Sequence, residues 1–302
     1  MKGFDRQTDY NYKEMRAAIL IWLEKKLDEQ AVEWLKTTGE KLANNPEDWL
    51  LYTSFSAVPR HTGKQVLTFS ADEMEKAKSI RKNWEPIDWS ADQLGRVFLM
   101  LNFAKNGKNE FLEKIEKIFL TSDMGEAVAL YKGIPLYPCQ EEFKKRAAEG
   151  IRSNMTTVFN AVAHHNPYPA EYMDEGAWNQ VVLKALFVES SLYKIIGLDE
   201  RANKTLAKIL VEYAHERWSA GREVSPELWR PVGPFIDDEY SDDIQKVLNH
   251  PDKTHKQAAL LALEKSDFSG RDNLLENHKD LVNEMEENNI GWDDIGKEVE
   301  ED

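Results

Sequence analysis

The sequence contains a single cysteine and no long apolar segment, and both deficits restrict the kind of protein it encodes. Cys139 stands alone among 302 residues, so an internal disulfide and a multi-cysteine metal site are excluded. The longest apolar run, Ala17 to Leu23, is far shorter than the roughly 20 residues that a membrane-spanning helix requires, and we expect no membrane insertion. The polar N-terminus lacks the apolar segment of a secretory signal, which predicts a cytoplasmic protein.

The common short motifs of catalytic and cofactor sites are also missing. The sequence has no glycine-rich phosphate loop, nucleophile elbow or paired acidic metal motif. His215 and Glu216 match half of a zinc-protease helix, but Ser219 occupies the position of the second histidine. Adjacent helical residues point about 100° apart, so His164 and His165 indicate a helix C-terminus rather than one shared metal ion. We therefore predict neither a cofactor nor a metal site, and we assign no catalytic residue.

Negative charge is concentrated near the end of the chain. The net charge is −15, and residues 271–302 carry 12 acidic and three basic side chains, so nine of these charges lie in the tail. The rest of the chain is mildly acidic and has no basic stripe, which argues against binding to nucleic acid or to an anionic membrane. We expect a solvated, mobile tail, with docking of Ile290, Trp292 and Ile295 on the folded body as the alternative.

Apolar residues recur at helical spacing along most of the chain. Met15, Ile19 and Trp22 set this pattern in the first segment, and no segment sustains period-two alternation. Residues 241–268 contain one helical pattern, a short Asn-His-Pro-Asp turn and a second helical pattern, which is typical of a HEAT-like repeat. The sequence therefore predicts an all-α protein of stacked antiparallel helical hairpins, in a HEAT-like or α-solenoid-like array.

Breaks in this pattern indicate four regions. We expect an N-terminal helical region at 1–58, a loop and helix linker at 59–90, a central and C-terminal helical array at 91–270, and the acidic tail at 271–302. The expected helices include one that ends before Pro59, a long one over 141–163, and two more over 175–188 and 200–220. Pro167 and Pro169 indicate a loop between the long helix and the next one.

The most unusual stretch runs from Gly150 to Phe235, and especially from His164 to Phe187. Aromatic residues and prolines lead there into the helix over 175–188, whose apolar side chains surround nearly its whole circumference. Such a helix is expected to be central, with neighbours on most faces. Asn179 falls among its apolar positions, so the amide should be buried and must bond either to other protein groups or to a ligand.

The helix over 200–220 also places polar residues among apolar ones. Arg217 shares a face with Leu210, while His215 lies on the opposite side. A buried guanidinium requires a carboxylate or a bound anion, and Glu171 or one of the next two acids could supply the carboxylate. The candidate ligand-binding residues of the whole stretch are Arg152, Asn154, His164, Tyr168, Glu171, Asn179, His215 and Arg217.

Several long blocks of the sequence resemble one protein family. They include GIRSNMTTVFNAVAHHNPYPAEYMDEGAWNQVVLKALF, LAKILVEYAHERWSAGREVSPELWRPVGPF and, upstream, TSDMGEAVALYKGIPLYP. These blocks are similar to the EboA family of bacterial metabolite-traffic proteins, and the similarity covers roughly residues 15 to 265. The resemblance implies a cytoplasmic component of a system that moves secondary-metabolite precursors, together with other proteins of the same pathway. It supplies no catalytic residue.

A distinctive central sequence without catalytic motifs favours a binding or scaffold protein. We predict a helical component of precursor export that holds a small metabolite or a partner protein in a groove around residues 150–235. One alternative is a cofactor-independent enzyme for an anionic or prenylated metabolite, with His215 as acid or base and Arg217 or Arg152 binding the anion. This alternative requires His215 and Arg217 to reach one pocket. The other is a protein-interaction module that binds through a surface at WRPVGPF, residues 229–235.

Overall fold

Helical periodicity governs the chain in the computed structural model. The structure describes residues 4, 6–7, 9–44 and 47–301, and these residues form helices joined by turns and loops, with no strand among them. The all-α prediction is confirmed. The chain divides into two compact units, an N-terminal unit, Asp5–Met173, and a C-terminal unit, Asp174–Asp302 with Met1–Phe4. The four regions expected from the sequence stay a prediction.

Ten α-helices occur in the described part of the N-terminal unit. They are α1 (Tyr12–Lys26), α2 (Glu29–Asn44), α3 (Asp48–Thr62), α4 (Ala71–Ile80), α5 (Ala91–Phe103), α6 (Lys108–Thr121), α7 (Met124–Gly133), α8 (Lys144–Arg152), α9 (Thr156–Ala163) and α10 (Tyr168–Tyr172). Short 3₁₀ segments lie at Ala104–Asn106, Ile134–Leu136 and Gln140–Phe143.

Helix α5 is the centre of the N-terminal unit. Twelve of its 13 residues are buried, and it packs against α1, α2, α3 and α7. Its polar residues would suggest a solvent face, but they are buried and paired. The Arg96 guanidinium donates to the Asp92 carboxylate at 2.5 Å, and the Asn102 amide donates to the Phe98 carbonyl at 2.9 Å. Because each of these polar groups has a hydrogen-bond partner, the helix tolerates burial on nearly all sides.

Helix α3 continues through Pro59 to Thr62, so the predicted end before this proline is wrong. Proline has no N–H group, and the carbonyl four residues earlier therefore loses its helical partner. Here that carbonyl belongs to Phe55, and the Nε of Arg96 donates to it at 3.2 Å. A side chain from α5 thus supplies the hydrogen bond that the proline cannot make.

The long helix expected over 141–163 is interrupted, and its two parts are α8 and α9. At the break, the Ser153 hydroxyl accepts the backbone N–H of Met155 at 3.1 Å, a local bond that competes with the helix. The loop expected around Pro167 and Pro169 contains the short helix α10 instead. Proline is tolerated there because the backbone N–H groups in the first turn of a helix have no helical partner, so the missing N–H group costs no hydrogen bond.

Eight α-helices occur in the described part of the C-terminal unit. They are α11 (Glu175–Phe187), α12 (Lys204–Ser219), α13 (Trp229–Val232), α14 (Ser241–Leu248), α15 (Lys253–Glu264), α16 (Arg271–Asn277), α17 (Lys279–Glu287) and α18 (Trp292–Glu301). Helices α14 and α15 pack together as the predicted pair. Helix α12 begins four residues later than expected, because the Asn203 side chain caps it by accepting the N–H of Leu206 at 2.8 Å.

Helix α15 is the centre of the C-terminal unit, and α13, α14, α16, α17 and α18 pack against it. Trp229 and Val232 of α13 are buried in this core, so most of the surface expected at residues 229–235 is internal. Gly233 permits the close approach, since a Cβ atom there would stand 2.9 Å from the Ala262 carbonyl oxygen. The acidic tail forms α16, α17 and α18, and Ile295 is only 2% exposed, in agreement with the docked alternative.

Candidate functional site

The candidate residues of the N-terminal unit lie in different environments. Arg152 and Asn154 are exposed at the break between α8 and α9. His164 is the C-cap of α9, so the predicted helix C-terminus at this histidine is confirmed. The side chains of Tyr168 and Glu171 on α10 are buried.

Glu171 holds a buried arginine that the sequence did not point to. Arg81 donates through Nη1 to Oε1 of Glu171 at 2.9 Å and through Nη2 to Oε2 at 2.5 Å. Both side chains are 0% exposed, and Arg81 Nε also donates to the Pro135 carbonyl at 2.8 Å. The carboxylate of Glu171 is therefore engaged inside the protein, in a bidentate pair of high geometric specificity.

Tyr168 belongs to an adjoining buried network around Gln140. Its hydroxyl donates to the Gln140 backbone carbonyl at 2.6 Å, and the Tyr172 hydroxyl donates to the Gln140 side-chain oxygen at 2.6 Å. The two tyrosine rings stack with centroids 4.6 Å apart. Burial raises the pKa of Tyr168 well above its ordinary value, so this hydroxyl remains a protonated donor.

Asn179 in the C-terminal unit is buried, as the helical pattern predicted. It is 3% exposed, and its amide exchanges two hydrogen bonds with the side chain of Asn203, at 3.3 and 2.9 Å. Asn203 is the residue that caps α12. The pair therefore ties the middle of α11 to the start of α12 and satisfies both amides.

His215 and Arg217 project from α12 in different directions, as expected. The core face of α12 is formed by Leu210 and Ala214 together with Leu206, and His215 is exposed, with Nε2 2.6 Å from Asp243 Oδ1. Arg217 is half-buried and donates through Nε to the Glu223 carbonyl at 3.0 Å. The predicted ion pair of Arg217 is wrong for the described residues, because Glu171 is paired with Arg81 and the half-buried guanidinium of Arg217 bonds to a backbone carbonyl instead.

The C-terminal end of α12 brings a second arginine next to Arg217. Gly221 adopts a left-handed conformation with φ 67°, and its N–H donates to the Trp218 carbonyl at 3.0 Å. The N–H of Arg222 then donates to the Arg217 carbonyl at 2.9 Å. This pair of bonds is a Schellman motif, for which glycine is the favoured residue. It reverses the chain so that both guanidinium groups line one groove.

The groove lies between α11 and α12 and has a volume of about 430 Å³. Its wall combines apolar, aromatic and cationic side chains, mainly Leu183, Lys184, Phe187, Tyr213, Arg217 and Arg222. The Tyr213 hydroxyl donates to the Leu186 carbonyl at 3.4 Å, which connects the two helices. Phe187 is 74% exposed, so the expectation that α11 is covered on nearly all faces is wrong at this end of the helix.

The electrostatic character of the groove is positive. Three basic side chains line it, those of Lys184, Arg217 and Arg222, and partial burial lowers the pKa of Lys184. Glu216 is the one acid among the described residues that line the groove. Exposed apolar surface beside guanidinium groups is suited to bind an amphipathic anion. His215 does not line this groove, so the described lining does not combine it with Arg217.

Comparison with known proteins identifies the family of the chain. The sequence model of metabolite traffic protein EboA matches residues 15–233, which is more than two thirds of the chain. The chain belongs to the EboA family. The groove residues from Leu183 to Arg222 all lie within the span that matches EboA. No curated protein sequence and no solved structure gave a match to the chain.

Two further observations concern the helices and the possible metal ligands of this EboA member. Within the described residues, no helix combines the length and the apolar character that crossing a membrane requires. In the same part of the chain, no three histidine, cysteine, aspartate or glutamate side chains converge as a metal site would require.

Sequence reasoning found Arg217 but missed Arg222 and the exposure of Phe187. Arg222 had a recognisable signal, because it follows Gly221 directly after an amphipathic helix, where a Schellman motif turns the chain back. Phe187 had none. Its position on the helical wheel resembles that of a core residue, and only the packing of α11 against α12 leaves it uncovered.

Proposed function

We propose that this member of the EboA family is a binding protein, and that it holds an amphipathic organic anion in the groove between α11 and α12. The observation that carries the proposal is the position of Phe187, 74% exposed, in one groove with Arg217 and Arg222. Each buried methylene of a ligand chain contributes about 0.8 kcal/mol, and a charge-assisted hydrogen bond contributes about 1.5–3 kcal/mol. Together these contributions are sufficient for reversible carriage of a small metabolite.

The groove has the dimensions of a small-molecule site. Its volume of about 430 Å³ falls within the range of about 300–1,000 Å³ typical of ligand pockets. Arg217 uses Nε for the Glu223 carbonyl, and among the described residues nothing bonds to its two terminal nitrogens, which leaves them to bind an anion. A carboxylate or phosphate is a suitable partner for this planar group.

The test is isothermal titration calorimetry with octyl phosphate, octanol and methyl phosphate on the full chain. We expect octyl phosphate to bind, and Phe187→Ala to weaken it about tenfold, since about half of the transfer free energy of a phenylalanine is lost. Arg217→Gln should weaken octyl phosphate and leave octanol unchanged. Leu120→Ala removes another exposed side chain, 69% accessible, and serves as the apolar control. Arg60→Gln, which removes an exposed arginine of α3, is the charge control.

Equal affinities for octyl phosphate in Phe187→Ala and Leu120→Ala would overturn the proposal. Equal affinities in Arg217→Gln and Arg60→Gln would overturn its electrostatic part. Phe187 is largely exposed, so its replacement should leave the melting temperature unchanged. A change in binding is then not explained by unfolding.

Several finer features belong to the same proposal. We propose that the helical hairpins stack in a HEAT-like array, which the packing of α2 on α3 and of α14 on α15 supports. We also propose that the protein acts in the cytoplasm with other proteins of a precursor-export pathway, as its family suggests. The enzyme alternative loses support, since the exposed ring of His215 contacts Asp243 and does not line the groove.

A further inference from the structure

A second cavity of the C-terminal unit adjoins the groove between α11 and α12. Its volume is about 240 Å³, and Arg222 lines both cavities. Trp218, Trp229, Lys246, His250 and His255 form much of the rest of its wall. We call it the histidine pocket. It lies below the size range of pockets that enclose a whole drug-sized ligand, so it is suited to hold one group of a larger molecule.

Aromatic rings give the histidine pocket a rigid wall on one side. The rings of Trp218 and Trp229 stack with centroids 6.1 Å apart, and the Lys246 ammonium lies 3.8 Å from the centroid of the Trp218 ring. This cation–π contact positions a flexible lysine at the cavity although the residue itself is exposed. The wall of the pocket thus carries two basic side chains, Lys246 and Arg222.

The two histidines add hydrogen-bonding groups to the wall of the pocket. Their rings stack with centroids 3.8 Å apart. The backbone N–H of Asp252 donates to Nδ1 of His250 at 3.2 Å, so the hydrogen of this ring is on Nε2. Burial and the neighbouring His250 lower the pKa of His255, which keeps that ring neutral near pH 7. A neutral imidazole still offers one N–H donor.

The remaining charges around the pocket are consistent with an anion site. His255 lies in the first turn of α15, a helix of 12 residues whose N-terminus is capped by the Asp252 carboxylate, which accepts the Thr254 N–H at 2.8 Å. Glu223 is the one acid among the described residues of the wall, which also carries the basic side chains of Arg222 and Lys246, while the Asp252 carboxylate acts on both histidines from outside the wall. A group with several acceptor oxygens can use these cations and the imidazole donors together, whereas a carboxylate has only two oxygens.

We infer that the histidine pocket binds the phosphate group of a phosphate ester, while the apolar part of the same molecule occupies the groove between α11 and α12. The inference rests on the proposed function, and it narrows the ligand class from amphipathic anions in general to alkyl or alkenyl phosphates. Arg222, which lines both cavities, and Arg217, which lines the groove and bonds to Glu223 of the pocket wall, contact the ligand where its chain meets its head group. Lys246 and His255 are then head-group ligands that lie outside the family-matched span.

The test uses methyl phosphate as a probe of the pocket alone and octyl phosphate as a probe of both cavities. Lys246→Met should weaken both probes at least tenfold and leave octanol binding unchanged. His255→Gln should weaken both probes as well. Lys208→Met removes a lysine of α12 whose side chain is 70% exposed and is the matched control. Lys246 is exposed, so its variant should fold even if the half-buried His255 proves sensitive to replacement.

The outcomes separate this inference from the proposed function. Loss of octyl phosphate binding in Phe187→Ala, with full binding of both probes in Lys246→Met, overturns the histidine pocket and retains the groove. Methyl phosphate binding that responds to Lys246→Met, with no effect of Phe187→Ala on octyl phosphate, retains the pocket and overturns the groove. Absence of methyl phosphate binding to the unmodified protein, with octyl phosphate bound as tightly by Lys246→Met as by Lys208→Met, also overturns the pocket.

Discussion

Replacement of Glu171 by glutamine should destabilise the N-terminal unit severely, although it exchanges only one heavy atom. The carboxylate accepts two hydrogen bonds from Arg81, and both side chains are 0% exposed. Arg81 also donates to the carbonyls of Lys82 and Pro135, at 3.2 and 2.8 Å. These bonds hold the guanidinium in place, so it stays buried when the carboxylate of Glu171 is removed.

The magnitude follows from the cost of one unpaired buried charge. Removing one partner of a buried ion pair typically destabilises a protein by about 3–5 kcal/mol, because the remaining charge stays desolvated. A whole domain is stable by only about 5–15 kcal/mol. Replacing both partners, in Arg81→Met with Glu171→Leu, removes both charges and should cost much less than the sum of the single changes. The coupling free energy should therefore be several kcal/mol.

The assay is urea-induced unfolding of the full chain, followed by far-ultraviolet circular dichroism and by tryptophan fluorescence. The matched control is Glu116→Gln, because Glu116 pairs with Arg146 in the same unit and its side chain is 52% exposed. Arg146 keeps a second partner in Glu149, at 2.7 Å, and an ion pair with an exposed carboxylate contributes about 0–1 kcal/mol, so this variant should unfold close to the unmodified protein. The reasoning fails if Glu171→Gln costs no more than Glu116→Gln, or if the double replacement costs the full sum.

Four further substitutions test buried and partly buried polar groups of the N-terminal unit. Tyr137→Phe should raise the free energy of unfolding in urea by about 1 kcal/mol, since this buried hydroxyl has no hydrogen-bond partner among the described residues. Tyr168→Phe should lower it, because the bond to the buried Gln140 carbonyl is lost. Burial lowers the pKa of Lys132 to about 8, below the value near 10.4 of an unfolded lysine. The unfolded chain then binds more protons between these values, so the free energy of unfolding should rise by ~2–3 kcal/mol from pH 8 to 10, and Lys132→Met should abolish this rise. Arg96→Met should cost about 3 kcal/mol in the same assay, since it leaves the Asp92 carboxylate buried and unpaired.

The all-α class could be predicted because a helix with one buried face places apolar residues at regular spacing in the sequence. Which helix lies at the centre of the N-terminal unit could not be predicted, and α5 shows the reason. Arg96 and Asp92 are polar, so the pattern assigns them to solvent, yet they neutralise each other four residues apart inside the unit. The pattern records the polarity of a residue and not the partner that makes its burial possible. Helix α3 shows the same limit, since Arg96 also supplies the bond that carries the helix past Pro59.

Of the two arginines that line the groove, only Arg217 was predicted from the sequence. Arg217 was identified because it interrupts an apolar face, and that irregularity is visible in the sequence. Its proposed partner was not, since Glu171 pairs with Arg81, 90 residues earlier in the chain. Contacts at such separation depend on tertiary packing, which helical periodicity does not encode. The groove has the same origin, because it needs the open side of α11 and the reversed chain after Gly221 together.

Exposure of an apolar side chain is common in proteins and is not by itself a sign of function. Trp49 and Leu120 are 62% and 69% exposed, yet neither lines the groove or the histidine pocket. Phe187 differs because its exposed ring faces a cavity that also contains two guanidinium groups. Folding alone would be served as well by a polar residue at that position, whereas a ligand with an apolar chain and an anionic end would not. The difference in octyl phosphate affinity between Phe187→Ala and Leu120→Ala therefore measures how much the Phe187 ring contributes to binding.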